Sequence, residues 1–166
     1  MMCSAYSLQF LTLAFNNLTG PIPKSFSGSN IVTLWLNNQV GPKLSGSIDV
    51  VAGMTSLTQL WLQSNEFTGP IPDLSNLTVL RDLRLRDNTL TGVVPSSLSS
   101  FPSLRNISII NNALQGPYPS FPRALDAEVG TTTENSFCLP APGKCDARVN
   151  ILLQFASGVG YPYIFA

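Results

Sequence analysis

The chain is 166 residues long, 44% hydrophobic and 11% charged, with nine Lys and Arg balancing nine Asp and Glu. That size suits one domain, and the even balance excludes a disordered charged tail and any electrostatic case for nucleic acid or an anionic membrane. Histidine is absent, which removes Ser-His and Cys-His nucleophile pairs and His-bearing zinc sites, and three cysteines are too few and wrongly spaced for a four-Cys metal site.

The first residues, Met1-Met2-Cys3-Ser4-Ala5-Tyr6, carry neither a basic n-region nor an apolar h-region, so they read as lacking a secretion signal. No run approaches the roughly 18 apolar residues of a membrane helix. Even the apolar stretch from Ile151 to Ala166 is interrupted by Gln154, Ser157, Gly158, Gly160 and Pro162.

From Leu8 onward one pattern recurs. Leu11-Thr12-Leu13, Leu34-Trp35-Leu36, Leu60-Trp61-Leu62, Leu83-Arg84-Leu85 and Ile107-Ser108-Ile109 begin 23, 26, 23 and 24 residues apart. Each core is preceded by Leu8, Ile31, Leu57, Leu80 or Leu104, and followed by Asn16, Gln39, Asn65, Asn88 or Asn112. Then come Leu18, Leu44, Phe67, Leu90 and Leu114, each with a glycine two residues on. The paired aliphatics alternate along a short strand, so both point inward while the residue between them points out. One such coil cannot bury its apolar face alone, and stacking coils makes a shared core and a parallel sheet. The asparagine falls where the chain turns out of the strand, and its amide can serve backbone groups left unpaired there. Gln39 is expected to break that ladder, in a coil with three extra residues within Val40–Lys43 that should bulge. With Leu8, Leu11 and Leu13 so near the start, the first coil is expected to expose an apolar edge.

The residues between the aliphatics form outward columns. One reads Thr12, Trp35, Trp61, Arg84, Ser108, and the next Ala14, Asn37, Gln63, Arg86, Ile110. Phe10, Thr33, Gln59, Asp82 and Asn106 run along the other flank. Two neighbouring tryptophans beside two arginines make a candidate binding patch: Trp and Arg dominate interface hot spots, and a planar guanidinium suits a carboxylate. The binding reading takes in Trp35, Trp61, Arg84, Arg86, Asn37 and Gln63, with a peptide, a small acidic ligand or a partner protein as occupant. The alternative is that Trp–Trp stacking and Arg packing simply stabilise the sheet. Three N-x-S/T sequons, at Asn17, Asn76 and Asn106, are glycan candidates in a secreted chain. Asn76, between strands, is the best placed.

After each ladder residue comes a turn such as Thr19-Gly20-Pro21-Ile22-Pro23 or Thr68-Gly69-Pro70-Ile71-Pro72. Its glycine permits close backbone approach, and its prolines are expected to end any ladder on that side. Residues 1–123 therefore read as five coils, and 124–166 as a non-repeat cap. Asp146 is a plausible N-cap for a short helix near 146–156, with Val149, Leu152, Leu153 and Ala156 on its packing side.

The string N-x-L-T-G-P-I-P resembles the plant-specific subtype of leucine-rich repeats. The tail is more specific: Asn135-Ser136-Phe137-Cys138, Pro142-Gly143-Lys144-Cys145-Asp146-Ala147-Arg148-Val149-Asn150 and Gly160-Tyr161-Pro162 resemble the non-repeat island of the plant transmembrane-kinase (TMK) subfamily of receptor-like kinases. So do Trp35-Leu36-Asn37-Asn38-Gln39 and Ser47-Ile48-Asp49-Val50. The resemblance implies an α/β-type solenoid, with short parallel strands on the concave face and turns and 3-10 segments on the convex face. It also implies a place outside the plasma membrane, ligand or partner binding in auxin-related cell-surface signalling, and a possible co-receptor. For Cys138 and Cys145, which enclose a loop short enough to close, it favours a disulfide over two free thiols; Cys3 is left over. Neither a glycine-rich nucleotide loop, H-R-D nor D-F-G occurs, so no kinase activity carries over, and no cofactor or metal is expected. The weighed alternatives are a stand-alone inhibitor of a cell-wall-degrading enzyme and a truncated, non-functional relic.

Overall fold

The computed structural model describes residues 8–162, so Cys3 lies outside the described residues. In chain order the strands are β1 (Phe10–Thr12), β2 (Thr33–Trp35), β3 (Ser45–Gly46), β4 (Gln59–Trp61), β5 (Glu66–Pro70) and β6 (Asp82–Arg84). They continue with β7 (Thr89–Val93), β8 (Asn106–Ser108), β9 (Ala113–Gly116), β10 (Asp126–Glu128) and β11 (Ser136–Phe137), and the chain then enters helix α1 (Ala147–Gly158). Short 3-10 turns at Lys24–Phe26, Asp49–Gly53 and Ser96–Ser100 close the opposite side of three coils.

The molecule is a leucine-rich-repeat solenoid whose concave face is one parallel sheet in the order β1-β2-β4-β6-β8-β10. Each strand is three residues long, and its middle residue faces inward: Leu34, Leu60, Leu83 and Ile107 are buried. Behind them Leu36, Leu62, Leu85 and Ile109 form a second buried row, and Leu57, Leu80 and Leu104 a third. Burying each such side chain is worth roughly 1.5–3 kcal/mol, a gain available only when a neighbouring coil covers it.

A ladder of side-chain amides runs beside the sheet from Gln39 to Asn135, with one bond missing at Asn65. Asn88 donates from Nδ2 to the Leu62 and Leu85 carbonyls at 3.1 and 3.0 Å and accepts from the Phe67 N–H at 3.0 Å. Asn112 repeats this with Leu85, Ile109 and the Leu90 N–H. Gln39 does not break the series, contrary to the expectation. Its Nε2 reaches the Leu13 and Leu36 carbonyls at 2.8 and 2.9 Å, and its Oε1 accepts from the Leu18 N–H at 3.0 Å. One longer amide thus serves the same three kinds of backbone group. The irregularity falls one coil later: Asn65 donates to Leu36 and Leu62, but its buried Oδ1 has no partner. The N–H that would match it, by the register of the other coils, belongs to Leu44, directly after the inserted residues. The residue before each ladder position turns with positive φ, at Phe15, Asn38, Ser64, Asp87 and Asn111. Asn and Asp tolerate that conformation, whereas it strains Phe15 and Ser64.

Two features exceed the sequence expectation. The Thr-Gly-Pro turns do not merely end a ladder; they build a second parallel sheet, β11-β9-β7-β5-β3. The concave sheet also runs one strand further. β10 pairs with β8 through Asp126–Asn106, Ala127–Ile107 and Glu128–Ser108, and Asn135 carries the ladder onward to the Ile109 and Val129 carbonyls. A sixth coil thus lies within the stretch read as non-repeat.

Cys138 and Cys145 are joined as a disulfide immediately before α1. Asp146 caps the helix by accepting from the Arg148 N–H at 2.8 Å. Ala156 is buried and Val149 and Leu153 half-buried, but Leu152, expected on the packing side, is 59% exposed.

A candidate binding site on the concave face

The parallel register sets Trp35 directly beside Trp61, and Trp61 beside Arg84. The indoles stack face to face, with centroids 4.2 Å apart and planes 8° from parallel. The Arg84 guanidinium lies over the Trp61 ring, also 4.2 Å from its centroid. A three-layer stack results from three consecutive strands offering a flat side chain at one register position. Such stacking adds to sheet stability, so this part of the structural alternative is realised physically. It also leaves a flat, half-exposed surface.

Asp82 fastens the end of the stack. Its carboxylate accepts from Trp61 Nε1 at 3.0 Å and from Arg84 Nε and Nη2 at 3.1 and 3.2 Å. Arg84 is thereby both oriented and neutralised, although its side chain stays 39% exposed. Arg86 is freer: its only salt bridge among the described residues, to Asp87, is 3.7 Å long, and its side chain is 49% exposed.

The other two candidates differ. Asn37 and Gln63 are buried, and Asn37 Oδ1 and Gln63 Oε1 have no hydrogen-bond partner. They sit past the strand ends, just before the left-handed turns at Asn38 and Ser64. The stack and Arg86 therefore form the accessible part of the patch, while Asn37 and Gln63 are closed off from solvent.

Beside the arginines lies a hollow of about 180 Å³, lined by Asp82, Arg84, Arg86, Ser108, Asp126 and Glu128. Asp126 and Glu128 come from the sixth coil and form no salt bridge among the described residues. The Ser108 hydroxyl donates to Glu128 Oε2 at 2.6 Å. Sequence reasoning passed over these two carboxylates because β10 was not recognised; the alternation Leu125, Ala127, Val129 was the available signal. The face thus grades from aromatic in its middle coils to mixed charge at one end, where Arg86 and the two carboxylates can take up groups of opposite sign.

The sequons also separate. Asn17 and Asn76 are exposed, as are Thr19 and Thr78. Asn106 is half-buried on β8, and its Ser108 is buried and engaged with Glu128. Among the described residues no group of three or more His, Cys, Asp or Glu is placed to hold a metal, and no helix is long and apolar enough to cross a membrane.

The Leucine Rich Repeat family model matches residues 7–29, 56–77 and 79–101. Receptor-like kinase TMK4 of Arabidopsis thaliana is 49% identical over 153 residues, covering 90% of this chain and 16% of that protein. This chain spans about a sixth of that relative's length. Among solved structures, the Arabidopsis receptor kinase HAESA ectodomain, in complex with an N-terminally extended IDA peptide hormone, superposes with a TM-score of 0.67 at 35% identity. The match covers 81% of this chain and 23% of HAESA. The BIR3–SERK2 complex from Arabidopsis thaliana gives 0.63 at 31% identity, covering 82% of this chain and 74% of that chain.

Proposed function

The chain belongs to the leucine-rich-repeat ectodomains of TMK-type plant receptor-like kinases, and from that premise we propose that it is a non-catalytic recognition segment binding a peptide or partner protein on its concave face. The observation that carries this is the Trp35–Trp61–Arg84 stack with Arg86 and a small polar hollow alongside. Stacked aromatics give an occupant apolar area at little entropic cost, because Asp82 already holds the stack in place. Arg86, weakly paired and half-exposed, meets a carboxylate, while Asp126 and Glu128 meet a cationic group. The peptide complex of HAESA supports the ligand class, and the BIR3–SERK2 pair supports a co-receptor of similar build.

Peptides selected from a random library against the wild-type chain provide the test. Trp61→Ala and Arg86→Ala should each weaken the selected peptides by about tenfold or more, the cost of removing an interface anchor. Unchanged affinity in variants that keep the wild-type circular dichroism would remove the concave face from the account.

In the intact receptor we place this segment on the extracellular side of the plasma membrane, where an oxidising compartment keeps Cys138 and Cys145 joined. There it takes part in auxin-related signalling. A receptor carrying Trp61→Ala and Arg86→Ala should then lose auxin-dependent kinase output, and retained output would contradict the assignment. On the secreted chain, Asn17 and Asn76 carry glycans and Asn106 does not, because its sequon hydroxyl is buried against Glu128. Glycopeptide mapping reads this directly, and an occupied Asn106 would overturn it.

A further inference from the structure

Gln115 lies in β9 and is 3% exposed, yet neither its Nε2 nor its Oε1 has a hydrogen-bond partner among the described residues. Strand alternation gives the reason. Leu114 points into the core, so Gln115 points away from it, to the side of the second sheet that α1 covers. A cavity of about 260 Å³ opens between them, lined by Gln115, Ser136, Val149, Leu152, Leu153 and Ala156 among others. Its walls are mainly aliphatic, and no Lys, Arg, Asp or Glu lines it. On the neighbouring strand β7 the buried Thr91 hydroxyl is satisfied, donating to the Tyr161 carbonyl at 2.5 Å. Gln115 has no such provision from the described residues. A buried polar group left unpaired costs roughly 1–3 kcal/mol, and a methionine of nearly the same shape would fill the position without that penalty.

We propose that the cavity between β9 and α1 binds a small neutral molecule with an apolar body and an amide-type edge. In such an edge a donor and an acceptor lie side by side, able to meet Gln115 Oε1 and Nε2 together once that side chain, closed off from solvent in this structure, turns toward the occupant. The charge of the cavity selects the neutral class: with no cation on its walls, a carboxylate entering there stays uncompensated. Its volume, slightly below the roughly 300 Å³ at which drug-sized pockets begin, suits a single ring or a short branched chain. Leu152, more than half exposed, stands at the mouth, while the Cys138–Cys145 bond anchors the chain just before the helix. This site is separate from the concave face and does not depend on the recognition proposed there.

Benzamide is the probe, titrated into the isotopically labelled chain and followed by NMR at the Gln115 side-chain amide and the Leu153 methyls. Saturable shifts at both are expected, with affinity reduced at least about tenfold in Gln115→Met, the cost of one lost two-point hydrogen bond. Benzoate at neutral pH should bind as weakly as benzamide does to the variant. Ala156→Leu, which grows into the same space from the helix, should block benzamide without touching the amide. The absence of saturable shifts, or equal binding by Gln115→Met with an unchanged near-ultraviolet spectrum, overturns the proposal. So does a crystal structure in which ordered waters satisfy both amide atoms and remain there after a benzamide soak.

Discussion

Individual side chains in this solenoid act mainly by satisfying or orienting a neighbour in the same or the adjacent coil. Asp82 does so for Trp61 and Arg84, and Asp73 does so on the opposite side of the coil. The Asp73 carboxyl is held below its ordinary value of 3.8, first by the Ser75 backbone N–H and then by the Ser75 and Ser97 hydroxyls. A carboxylate whose pKa is lowered by folding stabilises the native state above its unfolded pKa, and that contribution fades as pH falls through the folded value. The wild type should therefore melt above Asp73→Asn at neutral pH, with the gap closing as the medium is acidified below 3.8. Thermal melts over that range check it, and a gap widening with acid would contradict the assignment. At this scale the sequence was partly legible. Trp35, Trp61 and Arg84 share a register position that the repeat spacing alone reveals, so their adjacency could be read before any coordinates. The burial of Asn37 and Gln63 could not, because it depends on a left-handed turn at the following residue, and Ser64 gives little local sign of adopting one.

Among the elements, the asparagine ladder shows what a repeat can and cannot disclose. Its positions were evident from spacing, but the behaviour of Gln39 followed from geometry: the longer amide reaches the same three backbone groups. The consequence of the inserted residues appears instead at Asn65, whose Oδ1 has no donor. Asn88 binds through both ends of its amide and Asn65 through one. Asn88→Ala should therefore destabilise the chain more, by about 1–3 kcal/mol for the orphaned Phe67 N–H alone. Urea unfolding of the two variants measures this, and an equal or larger loss for Asn65→Ala would contradict it. The second sheet was illegible for a different reason. Gly and Pro depress strand propensity, and the Thr-Gly-Pro segments read locally as turns. They pair because the solenoid period brings them into register, which is a property of the stack. The sixth coil was hidden because Asn135 follows Val129 by six residues, where in the other coils the amide follows the last aliphatic by three.

Over the whole molecule the two ends of the stack differ. At the first coil Leu8 is 44% and Leu13 37% exposed, the apolar edge expected from the sequence, while Leu11 is half-buried and Phe10 and Phe15 are more exposed still. The opposite end carries the sixth coil, the disulfide and α1. Between them the concave sheet presents one graded surface, aromatic at β2 and β4 and charged from β6 to β10. The recognition account requires an occupant to lie across that gradient. The chain holds only two tryptophans, and both belong to the stack. Their indole N–H groups are distinguishable, since Trp61 Nε1 donates to Asp82 while Trp35 Nε1 is buried without a partner. The most direct test is therefore a nitrogen–proton correlation spectrum of the labelled chain, recorded while a library-selected peptide is added. Both indole signals should move together and saturate at the peptide's dissociation constant. Saturable binding that leaves both signals in place would contradict the claim that this face is where the protein recognises its partner.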